Sequence, residues 1–181
     1  GDGIGPEVTD ATVRILEAAG APLAFDGALA GQAALDAGHD DPLPEATIRA
    51  VSRHGVALKG PCTTPVGEGF VSVNVRLRQA LDLYAALRPV RSLPGVASRY
   101  PDVDVIVVRE NTEGLYSGVE NEITRGVVTS LKVATQHGCD RIARFAFDLA
   151  RRRGRSKVTV FHKANIMKLT DGLFLRSARE A

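Results

Sequence analysis

Of 181 residues only two are cysteines, Cys62 and Cys139, one is methionine and 5% are aromatic. Two thiols far apart, in no CxxC pair and near no histidine at metal-ligand spacing, exclude a disulfide framework and a zinc site. They fit a reducing compartment. His39, His54, His137 and His162 are scattered and read as structural or surface residues. Charge of one sign is also lacking: 23 Lys and Arg against 21 Asp and Glu leave +2, too little to imply nucleic acid. No apolar run approaches the length that spans a bilayer, so no membrane association is expected. The 44% hydrophobic content with 24% charged residues is that of an ordinary soluble globular protein.

Anion-binding chemistry is present. Residues 67–78 run from a glycine-hinged loop, Gly67-Glu68-Gly69, into a helix whose first turns carry Ser72, Asn74 and Arg78. A loop-to-helix junction offers unpaired N–H groups and a positive dipole end, and a hydroxyl, an amide and a guanidinium beside it make a pocket for carboxylate or phosphate. Arg88 follows in Leu87-Arg88-Pro89-Val90-Arg91. The apolar run Val103-Asp104-Val105-Ile106-Val107-Val108 ends in Arg109. Such a run suits a strand buried on both faces, and ligands collect beyond the carboxyl ends of strands in α/β sheets.

Elsewhere the elements alternate. Pro6 suits a first helical turn, and Val8, Thr12, Ile15, Leu16 and Ala19 recur on one face until Gly20. A second helix is expected from Pro44 to His54, closed by Gly55, then a strand at 56–59. From Leu115 to Thr135 β-branched residues in rough alternation predict an antiparallel ribbon. Ile142, Phe145, Ala146 and Leu149 mark a helix closed by Gly154, and a strand is expected at 157–161. The basic cluster 151–157 reads as a cationic last helical turn answering the dipole, since no aromatic side chain interleaves it for base stacking. Gly1-x-Gly3-x-Gly5 lacks the further glycine of a dinucleotide fingerprint, Pro6 following directly, and reads as a tight turn. The class is α/β.

In order, Gly-Asp-Gly-Ile-Gly-Pro-Glu at 1–7, Lys-Gly-Pro-Cys-Thr-Thr-Pro at 59–65, Leu-Asp-Leu-Tyr at 81–84, Leu-Arg-Pro-Val at 87–90, Arg-Glu-Asn-Thr-Glu-Gly-Leu-Tyr-Ser-Gly at 109–118 and His-Lys-Ala-Asn-Ile-Met-Lys at 162–168 resemble the isocitrate/isopropylmalate dehydrogenase family. Paired Ser72 and Asn74 resemble its isocitrate enzymes, and residues 109–118 and 161–175 look closest to the NAD-type ones. By that resemblance Ser72, Asn74, Arg78, Arg88 and Arg109 hold a tricarboxylate, Tyr116 and Lys163 are the acid-base pair, and Thr63 lies against the nicotinamide of the cofactor. The implied cofactors are NAD rather than NADP, with Mg or Mn. The implied reaction oxidises isocitrate at C2, then releases the β-carboxyl as CO₂ to give 2-oxoglutarate.

The resemblance also implies an incomplete fold. Residues 1–90 correspond to part of a large, cofactor-side domain and 91–181 to part of a smaller dimerisation and substrate domain with a clasp near 115–135. The chain begins without Met and ends inside a helical pattern, so it reads as the amino-terminal half of a longer protein. The metal ligands, metal being assigned to none of these residues, are expected in the other half. A homodimer or larger oligomer with shared active sites is implied, in a bacterial cytoplasm or mitochondrial matrix, and a removed targeting peptide stays open. Three alternatives remain at this point: a paralogue for isopropylmalate, homoisocitrate or tartrate, a noncatalytic regulatory subunit and, as the outsider, a nucleic-acid-binding module resting on the basic cluster 151–157.

Overall fold

A computed structural model describes residues 1–65 and 69–181. The anticipated loop residues Gly67 and Glu68 lie outside that description. The chain divides into two compact units, 1–81 and 82–181. The expected boundary after residue 90 would cut strand β1 (Ala85–Arg91), which pairs within the second unit.

The first unit holds α1 (Gly5–Ala18), α2 (Gln32–Asp36), α3 (Glu45–His54) and α4 (Val73–Ala80). As expected, Pro6 opens α1, and Gly55 closes α3 with φ 69°. The glycine turn at the start abuts residues 60–61: the Asp2 N–H donates to the Pro61 carbonyl at 3.1 Å, and a Cβ on Gly1 or Gly5 would fall 2.1 or 2.6 Å from that oxygen. The turn needs glycine for close backbone approach.

A small core anchors α4. Val73 and Leu43 are 1% exposed and pack with Ala30, while Ile48, Cys62, Phe70 and Leu77 close around them. Val73 and Leu77 are four residues apart and share the face turned to this core, which fixes the rotation of α4. Asp41 locks the helix from outside. It accepts from both terminal nitrogens of Arg76 at 2.5 and 2.8 Å and from the Leu43 N–H at 2.8 Å. Those Arg76 hydrogen bonds, then the Leu43 N–H, bring its pKa from 3.8 down to about 2 against the opposing effect of burial. A lowered folded-state pKa stabilises the fold above the unfolded value, and that contribution fades as pH falls from 3.8 towards about 2. In the full-length protein, Asp41→Asn should flatten the fall of thermal midpoint across that window; a calorimetric pH series checks it.

The second unit pairs β1 with β2 (Asp104–Glu110), antiparallel, with Ala86 opposite Arg109 and Arg88 opposite Val107. The expected ribbon is present as β3 (Gly114–Thr124) and β4 (Val127–Val133). Helix α5 (Gln136–Arg152) packs on α6 (Thr170–Glu180) and on β2. Arg151 and Arg152 occupy its last turn, the dipole-facing place expected for the basic cluster.

Three strand expectations are corrected. β2 is not buried on both faces: it belongs to a two-stranded sheet, and Val105 and Val107 are about half exposed, at 50% and 49%. Residues 56–59 and 157–161 form no strand, because no described neighbour pairs with them; Val56 and Phe161 are 78% and 89% exposed. An apolar segment becomes a strand only where a partner supplies its ladder.

Candidate functional site

In the first unit Ser72 is the N-cap of α4, yet its side chain makes no capping bond. Its hydroxyl instead accepts from Thr64 at 3.3 Å. Asn74 and Arg78, one turn apart, lie on one face of α4, and all three are half-buried. With Val73 and Leu77 committed to the core, Asn74 and Arg78 present an amide and a guanidinium on one neighbouring face, while Ser72 stands at the N-cap, two residues before Asn74.

Thr63 is set by Asp2, which the sequence reading did not single out. The Asp2 carboxylate is 8% exposed and accepts from the Thr63 N–H at 2.6 Å and the Gln32 N–H at 2.7 Å. Burial pushes its pKa up, but the Thr63 donors and the Gln32 N–H outweigh this and hold it below the ordinary carboxylate value. An open cleft beside Thr63 is lined by Gln32, Asp36, Pro65 and Phe70.

In the second unit the register settles what spacing left open. Arg109 stands opposite Ala86, two residues from Arg88, so both guanidiniums project from one face of the β1–β2 ladder. That face is turned away from α5, and both arginines are exposed. Tyr116 joins them: the Arg109 guanidinium lies 5.5 Å from its ring centroid, and Arg109 Nε donates to Asn111 Oδ1 at 3.1 Å.

Carboxylates behind this face hold it in shape. Glu110 accepts from the N–H groups of Thr112 and Glu113 at 2.9 and 2.8 Å. Glu113 accepts from the Thr135 N–H at 2.9 Å and from its hydroxyl, while Thr135 caps α5 by accepting from Gly138 at 3.0 Å. Arg141, mostly buried, donates to Asp82 at 2.8 Å and to the Thr112 hydroxyl at 2.8 Å, over the Tyr84 ring at 4.6 Å. Two Glu within a six-residue run after a strand were the available signal for this scaffold. Lys163 lies apart from that face in sequence, in the loop before α6, with its side chain exposed and its N–H donated to Asp171 at 2.6 Å.

No group of three or more His, Cys, Asp or Glu side chains that could hold a metal occurs among the described residues. The sequence pattern of the family described as isocitrate/isopropylmalate dehydrogenase matches residues 1–181. The chain belongs to the isocitrate/isopropylmalate dehydrogenase family. It is 47% identical over 180 residues to isocitrate dehydrogenase [NAD] catalytic subunit 5, mitochondrial, of Arabidopsis thaliana, covering 99% of this chain and 48% of that protein. It is 49% identical over 182 residues to isocitrate dehydrogenase [NAD] regulatory subunit 2, mitochondrial, of the same plant, covering 99% and 47%. The crystal structure of isocitrate dehydrogenase from Methylococcus capsulatus superposes with a TM-score of 0.94 at 49% identity, over 99% of this chain and 54% of that one. The chain thus spans about half the length of the curated relatives it matches, and its α/β architecture is a partial form of the family fold.

Proposed function

We propose that the full-length protein containing this chain oxidatively decarboxylates isocitrate to 2-oxoglutarate with NAD. The observation carrying this reading is the shared face of Arg88 and Arg109 with Tyr116 beside them, two carboxylate-binding cations next to a phenol. To Ser72, Asn74 and Arg78 on α4 we assign further contacts to a tricarboxylate. Guanidiniums bind carboxylates through paired, charge-assisted hydrogen bonds and fix orientation. Ser72 and Asn74 read the carboxylate that distinguishes isocitrate from smaller malate analogues, because polar groups left unpaired penalise the wrong acid.

Lys163 takes the C2 hydroxyl proton, and Tyr116 delivers a proton to carbon after CO₂ leaves. The cleft at Thr63 fits the nicotinamide end of NAD, with apolar Pro65 and Phe70 beside the polar Thr63 and Gln32. A nicotinamide held there by Thr63 and Gln32 would supply the acceptor for the C2 hydride. Mg or Mn belongs to this reading as well, with its ligands expected outside residues 1–181, since the described residues hold no group of His, Cys, Asp or Glu side chains suited to a metal. A homodimer or larger oligomer, clasped through β3–β4, completes each site. The compartment is the mitochondrial matrix or, for a bacterial source, the cytoplasm.

A regulatory role is the second reading, favoured by one observation: relatives named regulatory subunits are as similar as one named catalytic, 49% against 47%. One experiment separates them. The purified full-length protein, alone, should reduce NAD with isocitrate, and Ser72→Ala with Asn74→Ala should lower its preference for isocitrate over isopropylmalate by roughly a hundredfold, about 1–2 kcal/mol per lost hydrogen bond. Absence of turnover by that protein alone favours the regulatory reading; preference for isopropylmalate overturns the substrate.

A further inference from the structure

Asp171 sits in the first turn of α6, where a carboxylate ordinarily answers the N–H groups of its own helix. Its oxygens face elsewhere. Oδ2 accepts the Lys163 N–H at 2.6 Å, and Oδ1 receives the ammonium of Lys132 from β4. The carboxylate is buried, 6% exposed, and the Lys132 side chain is about one-third exposed.

The rest of the loop closes on the same point. The Lys163 carbonyl accepts from the N–H groups of Ile166 at 3.0 Å and Met167 at 2.8 Å, and the Met167 carbonyl accepts from the Asp171 N–H at 3.0 Å. Both backbone polar groups of Lys163 are therefore used, while its side chain remains exposed. The neighbouring residue of β4, Val133, pairs with Gly114, two residues before Tyr116. Lys132 thus ties the loop of Lys163 to β4, one residue from the pairing of Val133 with Gly114. Burial would raise the Asp171 pKa, but Lys132 and the Lys163 N–H hold it below the ordinary value, so the bridge is an ionised one.

We infer that Asp171, clamped by Lys132, is a positioning residue that sets the backbone of Lys163 and with it the reach of the lysine ammonium. The inference rests on the role proposed above for Lys163. A long exposed side chain keeps most of its rotamer freedom, so the place of its Cα decides how often the amine meets the reacting hydroxyl.

The test uses the full-length protein with isocitrate and NAD in four variants. Asp171→Asn keeps shape but turns an amide NH₂ towards either the ammonium or the Lys163 N–H, so one contact fails. It should lower kcat about thirtyfold and leave KM for isocitrate within about twofold, since misplacement of a reacting group by about 1 Å costs up to a hundredfold. Lys132→Met should lower kcat about tenfold, and Lys132→Arg should restore most of it. A merely structural bridge would reduce folded protein and leave kcat per folded site unchanged. Wild-type kcat in folded Asp171→Asn and Lys132→Met, with Lys163→Met inactive, overturns the positioning role alone; full activity of Lys163→Met overturns the catalytic assignment beneath it. Should Asp171→Asn not fold, the Lys132 pair decides: a loss in Met rescued by Arg supports the role, and wild-type kcat in Met overturns it.

Discussion

The polypeptide of these 181 residues, purified by itself, should form no NADH from isocitrate and should associate or remain partly unfolded. Its accessible surface is 12955 Å². A folded monomer of this mass exposes about 8,400 Å² by the surface scaling of globular proteins, so roughly half as much again lies open here. The excess is apolar where it matters most: Leu169 is 85% exposed, Ile166 71%, Val56 78% and Phe161 89%, whereas among the described residues only Leu43 and Val73 are large side chains wholly enclosed. Each sheet has two strands, so each offers unpaired backbone to other chains. Light scattering after size exclusion, dye binding and NADH absorbance check the expectation together. A monodisperse monomer that melts cooperatively and turns over isocitrate would contradict it.

The same bare surfaces explain what was legible in the residues. Helices α1, α3 and α5 carry their own instructions: Pro6 at a start, Gly55 and Gly154 at ends with φ 69° and 62°, an apolar stripe between. The ribbon is equally local. Strand β1 escaped notice because Pro89 lies within it, and proline lacks the N–H a ladder uses. The opposite error arose at 56–59 and 157–161, where apolar residues imply a strand but none of the described residues supplies a pairing ladder. Sequence order carries no such information.

The site divides along the same line. Asn74 and Arg78 share a face because helical periodicity places them so, which spacing foretells, whereas Ser72 shares with them only the start of the helix. Arg88 and Arg109 share a face only through the pairing of Ala86 with Arg109, a register no spacing announces. The supporting carboxylates were harder still, their partners lying far along the chain: Asp2 meets Thr63 across 61 residues, Asp171 meets Lys132 across 39 and Glu113 meets Thr135 across 22. The enclosed charge of Asp2 and Asp171 is what makes them informative in three dimensions, since an ionised group is rarely buried unless partnered.

Arg109→Lys in the full-length protein should lower kcat/KM for isocitrate by a hundredfold or more while changing KM for NAD by less than about threefold. Three geometric demands meet on this guanidinium. Nε is committed to Asn111 Oδ1 at 3.1 Å, the planar group lies 5.5 Å from the Tyr116 ring centroid, and the proposed role asks its remaining N–H groups to bind substrate on the face shared with Arg88. A lysine ammonium keeps the charge but has no plane and no fork, so it cannot hold Asn111 and a carboxylate at fixed angles together. Losing one charge-assisted pair and the orientation of Tyr116 amounts to about 3 kcal/mol, a little over two decades in rate. Asn111→Ala isolates the second part: it leaves the guanidinium in place but frees its Nε, and should produce a smaller loss concentrated in kcat. Steady-state kinetics on both variants, with folding verified by melting, check this. Arg109→Lys within threefold of the parent would remove Arg109 from the substrate site. In a noncatalytic subunit the same substitution would weaken isocitrate binding measured by calorimetry with no turnover to lose, so the pair of measurements reports on the chemistry and on the role of the chain at once.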